Sequence, residues 1–141
     1  MITTKYLHMS FMFVVILWIA SCKDDTLSCP NLTINATTAN NSGDVYGLQM
    51  VNVVNNCLHL IVSYSGGCAN HNFEMRWNGA LMESMPPQAQ LILYHNGNQD
   101  PCDAVLSEHL FYDLNELDPT HSYETIIVHL QNYANPLSFH H

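Results

Sequence analysis

Positive charge is almost missing from this chain. Of 141 residues only Lys5, Lys23 and Arg76 carry it, against 12 acidic residues, for a formal net charge of −9. Nucleic-acid phosphates are held by clustered Lys and Arg, so the composition excludes a nucleic-acid partner. A membrane-spanning run is missing too: the apolar stretch Met9–Ala20 (MSFMFVVILWIA) falls short of the ~20 residues such a helix needs. No segment keeps a 3.6-residue period over three turns, and LNEL at 114–117 is one helical turn at most. Signatures of chemistry are also lacking. There is no phosphate-binding glycine loop, no His-Glu-x-x-His and no dinucleotide fingerprint. Ser63 and Ser65 lie in Val-Ser-Tyr-Ser-Gly-Gly, which is not the strand–elbow–helix setting of a hydrolase nucleophile. Glu108 and Asp113 alternate onto opposite faces of one strand and make no acid/base pair. No reaction is nominated, and the chain reads as a non-enzyme.

What is present begins with an address. Lys5 and the apolar stretch after it read as an export signal over residues 1–21. Ile19-Ala20-Ser21-Cys22 resembles the lipobox of bacterial lipoproteins, in which the cysteine is lipidated and becomes the new N-terminus. Two or more acyl chains of the palmitate type anchor stably where one is marginal. Lys23-Asp24-Asp25 resembles the export signal of Bacteroidota surface lipoproteins. The expectation is an outer-membrane protein, lipid-anchored at Cys22 and exposed at the cell surface.

Residues 22–45 read as a tether or loose N-terminal segment, dense in Thr, Asn and Ser. From Cys22 onward two basic residues face all twelve acidic ones, a net charge of −10 that favours solubility outside the cell. The 120 residues from Cys22 suffice for one domain.

That domain is expected over 46–135, with a tail at 136–141. The stretch from Cys57 to Trp77 organises it. Leu58, Leu60, Val62 and Tyr64 alternate with His59, Ile61 and Ser63, and Phe73, Met75 and Trp77 alternate with Asn72, Glu74 and Arg76. Period two is the mark of strands. Further strand patterns occupy 46–54, 89–95, 104–113 and 124–132, and Asn55-Asn56 supplies a hairpin turn that tolerates positive φ. Six or seven short strands with frequent turns predict an all-β chain, an antiparallel β-sandwich or small barrel. His59, His109 and His129 are expected on polar strand faces.

Apart from Cys22 there are four cysteines, Cys29, Cys57, Cys68 and Cys102, which allow three pairings. Cys68 and Cys102 sit in turn-rich segments at strand ends, where two loops of a sandwich can meet. Outside the cytoplasm a disulfide is the default for such a pair. Cys57 either stays a buried thiol or ties down the N-terminal segment through Cys29. The competing reading is a metal centre. Cys68, His71, His95 and Cys102 offer two thiolates and two imidazoles, which zinc accepts tetrahedrally. Copper could add the soft ligands Met82 and Met85.

The ordered motifs Tyr64-Ser65-Gly66-Gly67-Cys68-x-x-His71-x-Phe73, Pro86-Pro87, Leu93-x-His95, Asp100-x-Cys102-Asp103-Ala104 and Asp113-Leu114-x-x-Leu117 resemble a group of small Bacteroidota lipoproteins, some loosely grouped as NigD-like. The resemblance spans roughly residues 45–133. It implies the β-fold, the lipobox and the Cys68–Cys102 pairing, and no catalytic role. Together these readings point to a surface binding or accessory module, with no cofactor, that presents loops 65–71, 79–88 and 96–103 to a protein or small-molecule ligand. The alternative is a zinc- or copper-binding or redox-handling envelope lipoprotein that uses the Cys68, His71, His95 and Cys102 set.

Overall fold

The computed structural model describes Cys29, residues 35–36 and residues 41–141. The expected signal peptide, the Cys22 lipobox and Lys23-Asp24-Asp25 lie outside the described residues. Among the described residues, eight strands and one short 3-10 helix follow in order: β1 (Asn35–Ala36), β2 (Gly47–Val54), β3 (Cys57–Gly66), β4 (Asn72–Trp77), β5 (Gln88–Asn96), β6 (Ala104–Asp113), η1 (Leu114–Leu117), β7 (Thr125–Leu130) and β8 (Leu137–His140). They form two sheets, β1-β4-β5-β7-β8 and β2-β3-β6, so the chain is the all-β sandwich its alternation predicts. Among the described residues no helix is long and apolar enough to cross a membrane.

The stretch from Cys57 to Trp77 does not close as one hairpin, because β3 and β4 go to different sheets. The hairpin that forms as read is the one turned by Asn55-Asn56. Asn55 and Asn56 both take positive φ (50° and 61°), and β2 pairs antiparallel with β3 from Val54↔Cys57 outward. β3 in turn pairs with β6 over ten registered positions, Cys57↔Asp113 to Gly66↔Ala104. In the larger sheet two pairings are parallel, β1 with β4 and β5 with β7. The second arises because β6 leaves for the other sheet between β5 and β7.

The core fills the space between the sheets. Leu58, Leu60 and Val62 of β3 and Leu110 and Tyr112 of β6 meet Leu91 and Leu93 of β5, Ile126, Val128 and Leu130 of β7, and Met75 of β4. Tyr64, Phe73 and Trp77, on the same alternating rows as these core residues, are half-buried and pack on the margin of this cluster.

Two boundaries move. Residues 136–141 are no tail: β8 adds the last strand of the larger sheet, and Phe139 inserts into the core at 1% exposure. Its register, Ile126↔Phe139, sets it opposite a buried isoleucine, so a single aromatic holds the segment down. The expected tether is joined to the fold at three points. Cys29 is bonded to Cys57, Asn35–Ala36 pairs with Arg76–Trp77, and Gly43 bridges His95.

Candidate functional site

Three inward-facing rows run toward one end of the sandwich, and the same period of two decides what closes them. On β3 the inward row is Leu58, Leu60, Val62, Tyr64, Gly66. The inward row of β4, extended backward from Trp77, Met75 and Phe73, reaches His71. On β5 it is Ala89, Leu91, Leu93, His95. The apolar core therefore ends in two histidines and a tyrosine, which floor a cleft of about 440 Å³.

His71 and His95 meet, Nδ1 to Nε2, at 2.8 Å, and His71 Nε2 lies 3.2 Å from Asp100 Oδ2. Aromatic rings clamp the pair. Phe73 stacks on His95 with centroids 4.3 Å apart, and Tyr64 lies over His71 at 4.5 Å. The Tyr64 hydroxyl donates to Glu108 at 3.1 Å, and the Tyr46 hydroxyl to the Leu93 carbonyl at 3.0 Å. Burial, and then the Glu108 carboxylate, raise the Tyr64 pKa; burial raises that of Tyr46. Both therefore stay neutral donors.

Asp100 is the most firmly held group of the site. One oxygen accepts the backbone N–H groups of Gly67, Cys68 and Ala69 (2.9, 2.9 and 2.8 Å), and the other accepts that of Cys102 at 2.8 Å. Three successive N–H groups on one anion form a nest. The Cys102 and Ala69 N–H groups, then those of Cys68 and His71, hold the Asp100 carboxyl well below the usual carboxylate range. With Asp100 ionised, His71 Nε2 is fixed as a donor toward it. In the neutral pair, His71 Nδ1 then accepts from His95 Nε2–H, which leaves His95 Nδ1 buried and without a hydrogen-bond partner among the described residues. Burial lowers the His95 pKa, so the ring stays neutral.

The N-terminal approach completes the cleft. His95 N donates to the Ser42 carbonyl and its own carbonyl accepts Asp44 N, both at 2.9 Å. Gly43 between them takes φ +72°, and a side chain there would collide with the His95 carbonyl. Asp44 accepts the Gly97 N–H at 2.7 Å, and its residue is exposed at the mouth. Two valines stand out at the rim, Val45 at 90% exposure and Val105 at 80%, among the exposed polar residues Asp44, Ser65 and Gln99.

The expected metal set is only partly assembled. His71 and His95 are neighbours, but Cys68 and Cys102 are joined in a disulfide, with Cα atoms 5.8 Å apart, so neither offers a thiolate. Cys29 and Cys57 form the second disulfide. Atoms of Cys68, Asp100 and Cys102 do cluster within 4.8 Å, but the sulfurs are bonded to each other and Asp100 is filled by backbone donors. Met82 and Met85 are elsewhere. The loop between β4 and β5 leaves from the Trp77↔Leu91 end, whereas His71 and His95 lie at the Asn72↔Asn96 end. For the same reason loop 79–88 does not join loops 65–71 and 96–103 in one surface.

Asp44 and Asp100 are absent from the sequence-based site. The signal for Asp100 was its place two residues before Cys102, in a turn whose geometry aims a carboxylate at its own loop and at the Gly66-Gly67 turn. Asp44 had no such signal.

No protein-family model and no curated protein matches the chain. Solved structures do. A NigD-like immunity protein from Bacteroides caccae aligns with a TM-score of 0.54 at 13% identity, over 70% of this chain and 50% of that one. A toxin-related protein from Parabacteroides distasonis aligns with a TM-score of 0.54 at 19% identity, over 78% and 59%. A protein of unknown function from Bacteroides vulgatus gives 0.50 at 13%, over 71% and 50%. The likeness is one of fold, and the chain spans between half and three-fifths of these neighbours' length.

Proposed function

We propose that this chain is a non-enzymatic binding module, carried as a lipoprotein on the outer face of the outer membrane through Cys22, and that its cleft receives a side chain of a partner protein. The observation that carries the reading is the built floor beneath a mouth at which two valines stand exposed. Asp100, His71 and His95 are locked in place by backbone donors and stacked rings, while Val45 and Val105 stand exposed around them. Groups that need no ordering on contact lose little entropy on binding, which is the ordinary design of an anchor pocket. Asp44, an exposed residue at the mouth, and the lack of any Lys or Arg among the described residues that line the cleft suit a basic or amide group of the partner. Two structural neighbours are described as immunity-type and toxin-related, which supports a protein as the partner.

A photo-crosslinker at Val105, in cells, should capture one discrete partner, while the same group at Met85 on the opposite end should not. Equal capture from both positions, or none from Val105, overturns the cleft as the binding surface. Cys22→Ala should leave the outer-membrane fraction; retention there overturns the anchor. Non-reduced native mass spectrometry checks the metal-handling alternative, which requires free Cys68 and Cys102 thiols with a stoichiometric metal.

A further inference from the structure

The outer face of the smaller sheet carries a second histidine pair. Because Leu58 and Leu60 of β3 and Leu110 and Tyr112 of β6 point inward, His59 and His109 point out. The antiparallel register sets His59 opposite Phe111 and Ile61 opposite His109, so the two histidines are diagonal neighbours on adjacent strands. His59 Nε2 lies 3.1 Å from His109 Nδ1. Phe111 stacks on the His59 ring at 4.3 Å with a 12° tilt and fixes its plane, while His109 is exposed to solvent.

We propose that His59 and His109 form a two-point site for a divalent transition metal of the zinc–copper class. The argument is the bite. A metal at the ~2.05 Å usual for zinc–imidazole bonds, placed on both nitrogens, closes an N–metal–N angle of about 98°, between the square and the tetrahedral values. Side chains on paired strands hold that spacing without loop ordering. The metal displaces the hydrogen bond now joining the rings. Each neutral imidazole keeps one proton, on Nδ1 of His59 and Nε2 of His109, so the exchange needs no net proton loss. Water completes the coordination shell on the open His109 side. The chain's strong negative charge raises the local concentration of cations around it. This site shares no residue with the cleft and stands whether or not the cleft binds a partner.

The test adds sub-stoichiometric Cu²⁺ to the full-length ¹⁵N-labelled protein and follows the imidazole signals of its nine histidines. The His59 and His109 rings should broaden first. His109→Gln, at an exposed position that leaves the core untouched, should abolish that early broadening, and should also abolish a Zn²⁺-induced rise in Tm. The proposal is overturned if His71 and His95, or His121 and His141, broaden first. It is equally overturned if all rings broaden together, if none does, or if His109→Gln responds as the parent protein does.

Discussion

Removing the Cys68–Cys102 disulfide separates the contribution of a covalent link from that of the network beside it. The bond closes a loop of 34 residues, which in the chain-entropy picture destabilises the unfolded chain by about 4 kcal/mol. The folded state should hardly notice. Asp100 on one loop accepts Gly67, Cys68 and Ala69 N–H on the other, and the Asn98 side chain donates to the Asn70 carbonyl. Those contacts keep the loops together without sulfur. Cys68 is exposed and Cys102 half-buried, so serine fits at both. With a urea m-value near 2 kcal/mol/M, the unfolding midpoint of Cys68→Ser/Cys102→Ser should fall by about 2 M. The His71 and His95 imidazole signals should stay in place before the transition. A midpoint loss below about 0.5 M would refute the entropic reasoning. Shifted cleft signals in the folded variant would show that the disulfide, and not Asp100, positions the loops.

Three further outcomes follow from the same structure. Tyr112 buries a hydroxyl that has no partner among the described residues, so Tyr112→Phe should raise stability by about 1 kcal/mol in chemical denaturation, and a loss would reveal a hydrogen bond there. Gly66 lies against the His71 ring with no room for a methyl group, so Gly66→Ala should cost about 1–3 kcal/mol and displace the His71 signals, whereas an unshifted ring would refute the close approach. His95 is held neutral by burial, so its contribution to stability is complete above its ordinary value of 6.5 and is lost as pH falls from there through its lower folded value. Asp100 and Asp118, both depressed, add a second loss below their ordinary 3.8, and thermal midpoints measured from pH 8 to pH 3 should therefore fall in two stages.

How far these features could be read in advance depended on whether one period governed them. Alternation along β3, β4 and β5 fixes which residues face inward, and extending each row by one position reaches Tyr64, His71 and His95. The Asn55-Asn56 hairpin was legible because its turn chemistry is local. The parallel pairing of β5 with β7 was not, since it depends on β6 crossing to the other sheet. Nor was β8, whose inward row is only Leu137 and Phe139, too short for a period to show. Asp44 and Asp100 act through backbone groups of distant loops, and pairings between loops leave no periodic trace. The His59–His109 contact required the β3–β6 register, which neither strand states alone.

The Cys29–Cys57 bond has a mechanical consequence. A pull applied on the N-terminal side of Cys29 does not pass through the residues between the two cysteines, because the sulfur link carries it straight to Cys57. Cys57 is the first residue of β3, the middle strand of its sheet, with β2 on one flank and β6 on the other. Tension therefore enters the smaller sheet at its middle strand, which is held by two antiparallel ladders, and bypasses β2. With the bond reduced, the same pull would first meet the β1–β4 pairing and the Ser42 and Asp44 bonds to His95, and only then the edge strand β2. The disulfide sets the order in which the domain yields to force.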